Sequence, residues 1–540
     1  MNYPGVRTLS TAILVAAAAT VTARAQSLVV PDSLVTTHHQ IVVGGRTLKY
    51  TATAGRLPII NNDAGEPHGF MFFVAYTLAR DPNQPVRPLT FVWNGGPGSP
   101  ASQVHLMGFG PRRLKSGDTY PTSAPLSVHT TLEDNQETWF DFTDLVFVDP
   151  IGTGYSRPTK PEYASEFFNT VGDAESVAEL IREYRTQFDA FDAPLFLAGE
   201  SYGVTRAQWV AEALERRRTP VAGVVLISGG ISLGQDVPRM MSSALVVPRY
   251  AATAYYHKRL PADLQSGTLQ DALRKATEWA RNSYAPALAR RDSLTPEQRE
   301  AIITQLVRFS GVKPNLVDPK TLMIPGSDFT DRLLEDQGLD LGRYDSRMTA
   351  RRNVATTPWT TAIDPSLRPV LDLMQGTSPS LIRYLRLDLQ YKTLLVYSGP
   401  FGGAYPTPAT PDGDWMANRW ARGGQPSGVP AYAQAAPSGA VRGATQAPIP
   451  LIPPLRKAME LNTSMRVLVL HGLYDSGSCE GTVYSVSLVE PASLRDRVKV
   501  QCYGGGHMMY TDTEARREMK RDVGELVRLG AANGASLPHP

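Results

Sequence analysis

Residues 195–209 read LFLAGESYGVTRAQW, and the turn inside them constrains the rest of the chain. Leu195–Ala198 is an apolar run of strand length, while VTRAQWVAEALERRR, from Val204 onward, is compatible with a helix. Between them stands Gly199-Glu200-Ser201-Tyr202-Gly203, a G-x-S-x-G stretch. A G-x-S-x-G occurs by chance in many chains; the strand before it and the helix after it give this one weight. In that context it reads as a nucleophile elbow, where glycines relieve crowding at a sharp turn and the serine oxygen stands exposed above a sheet.

Outward from the elbow the chain alternates buried strands with loops or helices. PLTFVWNGG, DLVFVDP, APLFLAG, GVVLISGG, KTLLVYSG, RVLVLHG and RVKVQCYG are short, rich in Val, Leu and Phe, and mostly end at Gly or Pro. Strands buried on both faces suit a mostly parallel sheet covered by helices. Ahead of them, HHQIVVGGRTLKYTAT predicts a hairpin about Gly44-Gly45, and GFMFFVAYTLA a further strand of an antiparallel edge. Residues 235–390 are mainly helical in pattern and read as a cap inserted over the carboxyl edge of the sheet. Within them Thr295-Pro296 marks a helix start, and Gln298 completes a capping box. Residues 401–454 are dominated by Pro, Gly and Ala and read as a long loop or partly disordered linker. The expected fold class is α/β, with the core divided into 26–234 and 391–540 around the cap.

The 540 residues are 42% apolar, enough for a large core. Their 54 basic and 51 acidic residues are interspersed and leave a net charge of +3. Arg216-Arg217-Arg218 suits the charge-favoured end of a helix, so nothing points to a nucleic-acid partner. At the N-terminus Arg7 precedes LSTAILVAAAATVTA, and Ala23-Arg24-Ala25 supplies small residues at the positions a signal peptidase reads. A signal peptide over 1–25 is expected, too short and alanine-rich for a stable membrane anchor, and with it export to the periplasm or the exterior. In an oxidising compartment the two cysteines, Cys479 and Cys502, could form a disulfide worth roughly 3 kcal/mol; two buried thiols are the alternative. With no histidine at ligand spacing, they make a poor zinc site.

A serine alone is a weak nucleophile and needs a general base, held in turn by an acid. In α/β-hydrolases the partners follow in the order Ser, Asp or Glu, His. Asp475 lies just beyond the strand RVLVLHG, and His507 follows RVKVQCYG within Gly504-Gly505-Gly506-His507. Both strand ends should lie on the edge that carries the elbow, and the glycines are expected to give the backbone freedom to place the imidazole. His471 ends a strand but precedes Asp475, and Asp149 ends one upstream of the serine, so both break the order. Ser201, Asp475 and His507 read as the triad.

Four motifs then carry a resemblance. Trp93-Asn94-Gly95-Gly96-Pro97-Gly98-Ser99, Asp149-Pro150-Ile151-Gly152-Thr153-Gly154-Tyr155-Ser156, Gly199-Glu200-Ser201-Tyr202-Gly203 and Gly505-Gly506-His507-Met508 resemble the serine carboxypeptidase family and appear in that family's order. The opening hairpin and the Asp475 neighbourhood look closer to its bacterial branch. The resemblance implies that Asn94 and Glu200 bind a substrate's terminal carboxylate. Two carboxylates in contact must share a proton, so acidic conditions should favour binding. It also implies an oxyanion hole from the backbone N–H groups of Gly96 and Tyr202, peptides with a free C-terminus as substrates, and no metal or cofactor. Ser99 stands where many relatives carry cysteine, and Asn135-Gln136-Glu137-Thr138-Trp139 replaces their Asn-Pro-Tyr-Ser-Trp, which leaves substrate preference open. An esterase or acyltransferase could use the same framework. A non-catalytic periplasmic binding protein is the remaining reading, although such a protein would ordinarily have lost a triad member.

Overall fold

The structure, a computed structural model, describes residues 34–79, 84–115, 130–352, 364–399 and 452–534. The expected signal peptide and nearly all of the 401–454 loop lie outside these residues.

A ten-stranded sheet forms the centre. Nine strands run in one path: β1 (Val35–Val43), β2 (Arg46–Asn61), β3 (Glu66–Leu78), β4 (Leu89–Trp93), β5 (Asp144–Asp149), β6 (Leu195–Glu200), β7 (Val221–Ile227), β8 (Arg466–Gly472) and β9 (Val498–Tyr503). The spatial order is β1-β2-β3-β5-β4-β6-β7-β8-β9, and the two-residue strand Arg157–Pro158 pairs with β3 off this path. β1, β2 and β3 pair antiparallel, as does β3 with β5. From β5 onward every pairing is parallel. The expected α/β-hydrolase fold, with its antiparallel N-terminal edge, is the fold observed.

Side-chain alternation divides the core into two layers. Phe72, Val74, Leu468 and Leu470 point to one face, where they meet Met519 and Val523 of the final helix, α8 (Thr513–Gly534). Met71, Phe73, Val467 and Val469 point to the other, against α1 (Thr170–Gln187), α2 (Tyr202–Arg216) and α6 (Pro454–Leu461). A sheet covered on both faces leaves only its carboxyl edge open for chemistry.

Separately, α3 (Val247–Tyr256), α4 (Leu269–Trp279) and α5 (Pro296–Ser310) enclose a core of their own, including Ala251, Ala276, Leu306 and Phe329. Thr295 and Gln298 form the expected capping box at the start of α5. The block from 235 to 390 serves two cores, because Val370, Leu381, Tyr384 and Leu389 pack instead on the α8 face of the sheet. There the Tyr76 and Tyr384 hydroxyls are hydrogen-bonded at 2.8 Å.

One expected strand is absent. KTLLVYSG, residues 392–399, is irregular apart from a single bridge between Gly154 and Ser398. Leu394 and Val396 are exposed, and Arg157 donates to the Val396 carbonyl and to Ser398 Oγ, both at 2.6 Å. The loop at 154–157, rather than a neighbouring strand, satisfies this backbone.

Cys479 opens α7 (Cys479–Ser487) and is bridged to Cys502 of β9, with the Cα atoms 5.9 Å apart. Replacing both cysteines by alanine should lower the free energy of unfolding by about 3 kcal/mol. Denaturant unfolding of the oxidised wild type beside the double variant checks this.

Candidate active site

The elbow is built by crowding. Ser201 sits at φ 60°, ψ −126°, a region that an L-residue occupies at a cost of about 1–3 kcal/mol unless its surroundings enforce it. The surroundings do so. A Cβ on Gly199 would lie 2.0 Å from the Gly203 carbonyl oxygen, and one on Gly203 would lie 2.8 Å from Trp93 Cδ1. Strand and helix therefore meet at contact distance, and the wholly buried Trp93 locks them by donating from Nε1 to the Gly203 carbonyl at 2.9 Å. The Ser201 N–H donates to Ile227 O at 2.9 Å, tying the turn to the end of β7.

The parallel register brings the other candidate residues to the same edge. Trp93 pairs with Gly199, Glu200 with Ile227, Ile227 with Leu470, and Gly472 with Tyr503. Asn94, Ser201, Asp475 and His507 each follow one of these strand ends. His507 Nδ1 and Asp475 Oδ2 are 2.9 Å apart, and Asp475 Oδ1 accepts from the Ser476 N–H at 2.6 Å. Burial pulls the His507 pKa down, but the Asp475 carboxylate and its hydrogen bond, with Glu200 adding, outweigh this and hold it above its ordinary value. Nδ1 thus points at the acid, which leaves Nε2 for a substrate proton. No hydrogen bond joins Ser201 to His507; such contacts commonly tighten in substrate complexes.

The glycines before His507 do not serve as expected. None of Gly504, Gly505 and Gly506 has positive φ. Gly505 and Gly506 are needed for space: a Cβ on Gly505 would lie 2.6 Å from Met509 Cβ, and one on Gly506 would lie 2.4 Å from both Asp345 Cβ and the Tyr344 carbonyl. The two rejected residues have other roles. His471 is buried, with Nε2 3.0 Å from Thr482 Oγ1, and burial lowers its pKa. Asp149 is buried too, its pKa pushed up to about 7 mainly by that burial, and Oδ1 accepts the Ala101 N–H at 2.8 Å. It holds the loop that follows β4.

Glu200 is buried between two donors. Asn94 Nδ2 donates to Oε2, and the Tyr510 hydroxyl donates to Oε1 at 3.2 Å. Asn94 Oδ1 accepts the Val104 N–H at 3.2 Å, which fixes the amide with its nitrogen toward Glu200. Burial raises the Glu200 pKa above the usual carboxylate range, against the opposing pull of His507 and the two donors. The Asn94 loop is itself pressed onto the elbow: a Cβ on Gly95 would lie 2.4 Å from the Tyr202 nitrogen. Gly96, at φ +103°, follows directly.

Two contributors were not anticipated. Tyr510 lies three residues beyond His507, and this aromatic hydroxyl so close to the base was a readable signal. Ser228, at φ 53° just past β7, donates from Oγ to the His507 carbonyl at 2.5 Å. A lone serine after a strand gives no sequence signal.

Sheet order, elbow and edge residues together define an α/β-hydrolase. Residues 60–272 match the family model described as serine carboxypeptidase. That stretch holds Asn94, Gly96, Glu200, Ser201 and Tyr202; Asp475 and His507 lie beyond it. The chain is 28% identical over 205 residues to a pheromone-processing carboxypeptidase of Neosartorya fischeri, covering 35% of this chain and 30% of that protein. It is 31% identical over 193 residues to the one from Aspergillus clavatus, covering 33% and 28%. The matches thus span less than a third of these relatives' length. Among solved structures, a prohormone-processing carboxypeptidase from Saccharomyces cerevisiae aligns at a TM-score of 0.49 and 14% identity, over 89% of this chain and 91% of that one.

Because Gly203 has no room for a methyl group, Gly203→Ala should destabilise the protein by roughly 3 kcal/mol or more and abolish serine reactivity. Thermal melting and labelling with a serine-directed phosphonate check both.

Proposed function

We propose that the protein is a serine-type carboxypeptidase that removes C-terminal amino acids from peptides. The observation that carries this reading is the buried Glu200 carboxyl, held by Asn94 immediately beside the elbow serine. Ester hydrolysis by itself calls for no such Asn94–Glu200 pair, whereas a pair of hydrogen-bond donors suits a terminal carboxylate.

A protonated Glu200 donates to the substrate's terminal carboxylate, with the Asn94 amide beside it. Ser201 Oγ attacks the last peptide carbonyl while His507 Nε2 takes the serine proton. The N–H groups of Gly96 and Tyr202 receive the oxyanion; loss of one such donor elsewhere raises the barrier by about 3–4 kcal/mol. His507 then passes its proton to the departing amine, and the C–N bond breaks to leave an acyl-enzyme. Water, deprotonated by His507, releases the shortened peptide. Asp475 holds the imidazole tautomer throughout.

The two titrations act in opposite directions. Glu200 must be protonated, so carboxylate affinity is present below its raised pKa and is lost as pH rises through it. His507 must be neutral, so turnover is lost as pH falls through its own raised pKa. Ionised Glu200 is one of the charges that lift His507, so protonating Glu200 removes that lift and extends the working range of the base toward acid. The Arg7–Ala25 region supports export, the opening hairpin and the Asp475 neighbourhood support a place in the bacterial branch, and among the described residues no helix is long and apolar enough to cross a membrane.

The test is release of the C-terminal amino acid from a blocked dipeptide and from its amide between about pH 4 and pH 8. The expected result is release that disappears in Ser201→Ala, is strongest toward acid and is weak for the amide. Serine-dependent hydrolysis of simple esters alone would instead establish an esterase or acyltransferase. In the wild type KM should climb as pH rises through the Glu200 titration. Glu200→Gln, a neutral donor at every pH, should flatten that climb while raising KM at acidic pH, and steady-state kinetics across the range read both effects.

A further inference from the structure

The loops carrying Asp475 and His507 are joined by more than the bond between the two residues. A short segment of the cap, Tyr344-Asp345-Ser346-Arg347, enters the space between them and holds both. On the base side, the His507 N–H donates to the Tyr344 carbonyl at 2.5 Å, and Arg347 Nη1 donates to the Gly504 carbonyl at 3.0 Å. On the acid side, the Ser346 N–H and Oγ both donate to the carbonyl of Tyr474, the residue preceding Asp475, at 3.0 and 3.1 Å. The Arg347 guanidinium also lies over the Tyr474 ring, 5.0 Å from its centroid.

Arg347 therefore touches both loops with one rigid group. Its orientation is fixed by Asp345, which accepts from Nε at 3.0 Å and from Nη2 at 2.7 Å, with Asp512 3.3 Å from Nη1. The two side chains of the pair are only 6% and 2% exposed. A guanidinium presents donors in a planar fork, so one side chain can hold a carboxylate and a carbonyl at once; an ammonium cannot reproduce that geometry. The absence of a side chain at Gly506 is part of the arrangement, since a Cβ there would collide with Tyr344 and Asp345. Ser346 is gripped from the cap: its Oγ is 2.7 Å from Thr253 Oγ1 and its carbonyl oxygen 2.7 Å from His257 Nε2.

We propose that Arg347, anchored by Asp345, is a positioning residue for the triad: it sets the loop of Asp475 against the loop of His507, so that the aim of the imidazole depends on a cap segment as well as on the sheet. This rests on the acyl-transfer reading for its kinetic consequence but not for its structural one. Displacement of a reacting group by about 1 Å can cost on the order of 100-fold in rate without weakening substrate binding. Asn94 and Glu200 lie at the ends of other strands and share only the Tyr510 hydrogen bond with the chain just beyond His507, so KM should move far less than kcat.

The experiment compares wild type, Arg347→Lys, Arg347→Ala and Ser346→Ala as full chains. It reads kcat and KM for a blocked dipeptide, the thermal transition, and the downfield proton resonance of the His507–Asp475 hydrogen bond, assigned by its loss in His507→Ala. Arg347→Lys keeps the charge and should fold, with kcat lower by about 10-fold or more, KM within about 2-fold, and the resonance shifted or lost. Ser346→Ala should show the same pattern more weakly, and both variants keep the test decisive if Arg347→Ala does not fold. An unchanged kcat per folded molecule, or an unmoved resonance in Arg347→Lys, overturns the proposal. A wild type that releases no amino acid defeats the peptidase reading alone, because the resonance still reports whether Arg347 holds the pair.

Discussion

The constraint on which the site depends is the contact between the end of β6 and the start of α2 across Gly199 and Gly203. Ser201 adopts its strained conformation because neither glycine leaves space for any other path. Trp93 fills the remaining gap, and its strand delivers Asn94 to Glu200. Arg206 closes the arrangement from the helix side, donating to the Asn94 carbonyl and to the buried Asp173, both at 2.8 Å. Candidate nucleophile, candidate oxyanion donors and candidate carboxylate site are therefore packed together at one place.

Asp475 and His507 form a second unit, and the charge balance between the two units is what makes the edge chemically distinctive. Asp475 and Glu200 both act on His507, yet they differ in environment. Asp475 accepts from the Ser476 N–H and pairs with the imidazole, while Glu200 is buried between the Asn94 and Tyr510 donors. Burial therefore favours the protonated form of Glu200. Two acidic groups on one edge thus sit in different surroundings.

Much of this was legible because it has a local signature. Buried strands read as apolar runs, the elbow as glycines at fixed spacing, and Asp475 and His507 as the residues just past two strand ends. KTLLVYSG misled because an apolar run of strand length also suits a loop whose backbone is satisfied by an arginine, and Arg157 lies far away in the sequence. Gly505 and Gly506 were recognised as important for the wrong reason, since a requirement for space depends on Met509, Tyr344 and Asp345 rather than on anything nearby in the pattern. Ser228 and Arg347 were invisible for the same reason: each acts as a single side chain on a backbone carbonyl of a distant loop, and neither periodicity nor spacing encodes such a contact.

A long, largely helical insertion separates β7 from β8, two strands that are neighbours in space but lie either side of residues 228–465 in sequence. During synthesis the elbow can form early, from a continuous stretch of chain that includes β4, β6 and α2. The strands leading to Asp475 and His507 are made last, after the whole cap, and pairing across so wide a gap is intrinsically slow. A nascent chain therefore carries the serine for most of its synthesis without the partners proposed to activate it. Premature termination between α2 and β9 yields a chain that has Ser201 and lacks His507. The order of elements along the chain keeps Ser201 apart from Asp475 and His507 until the last strands have docked.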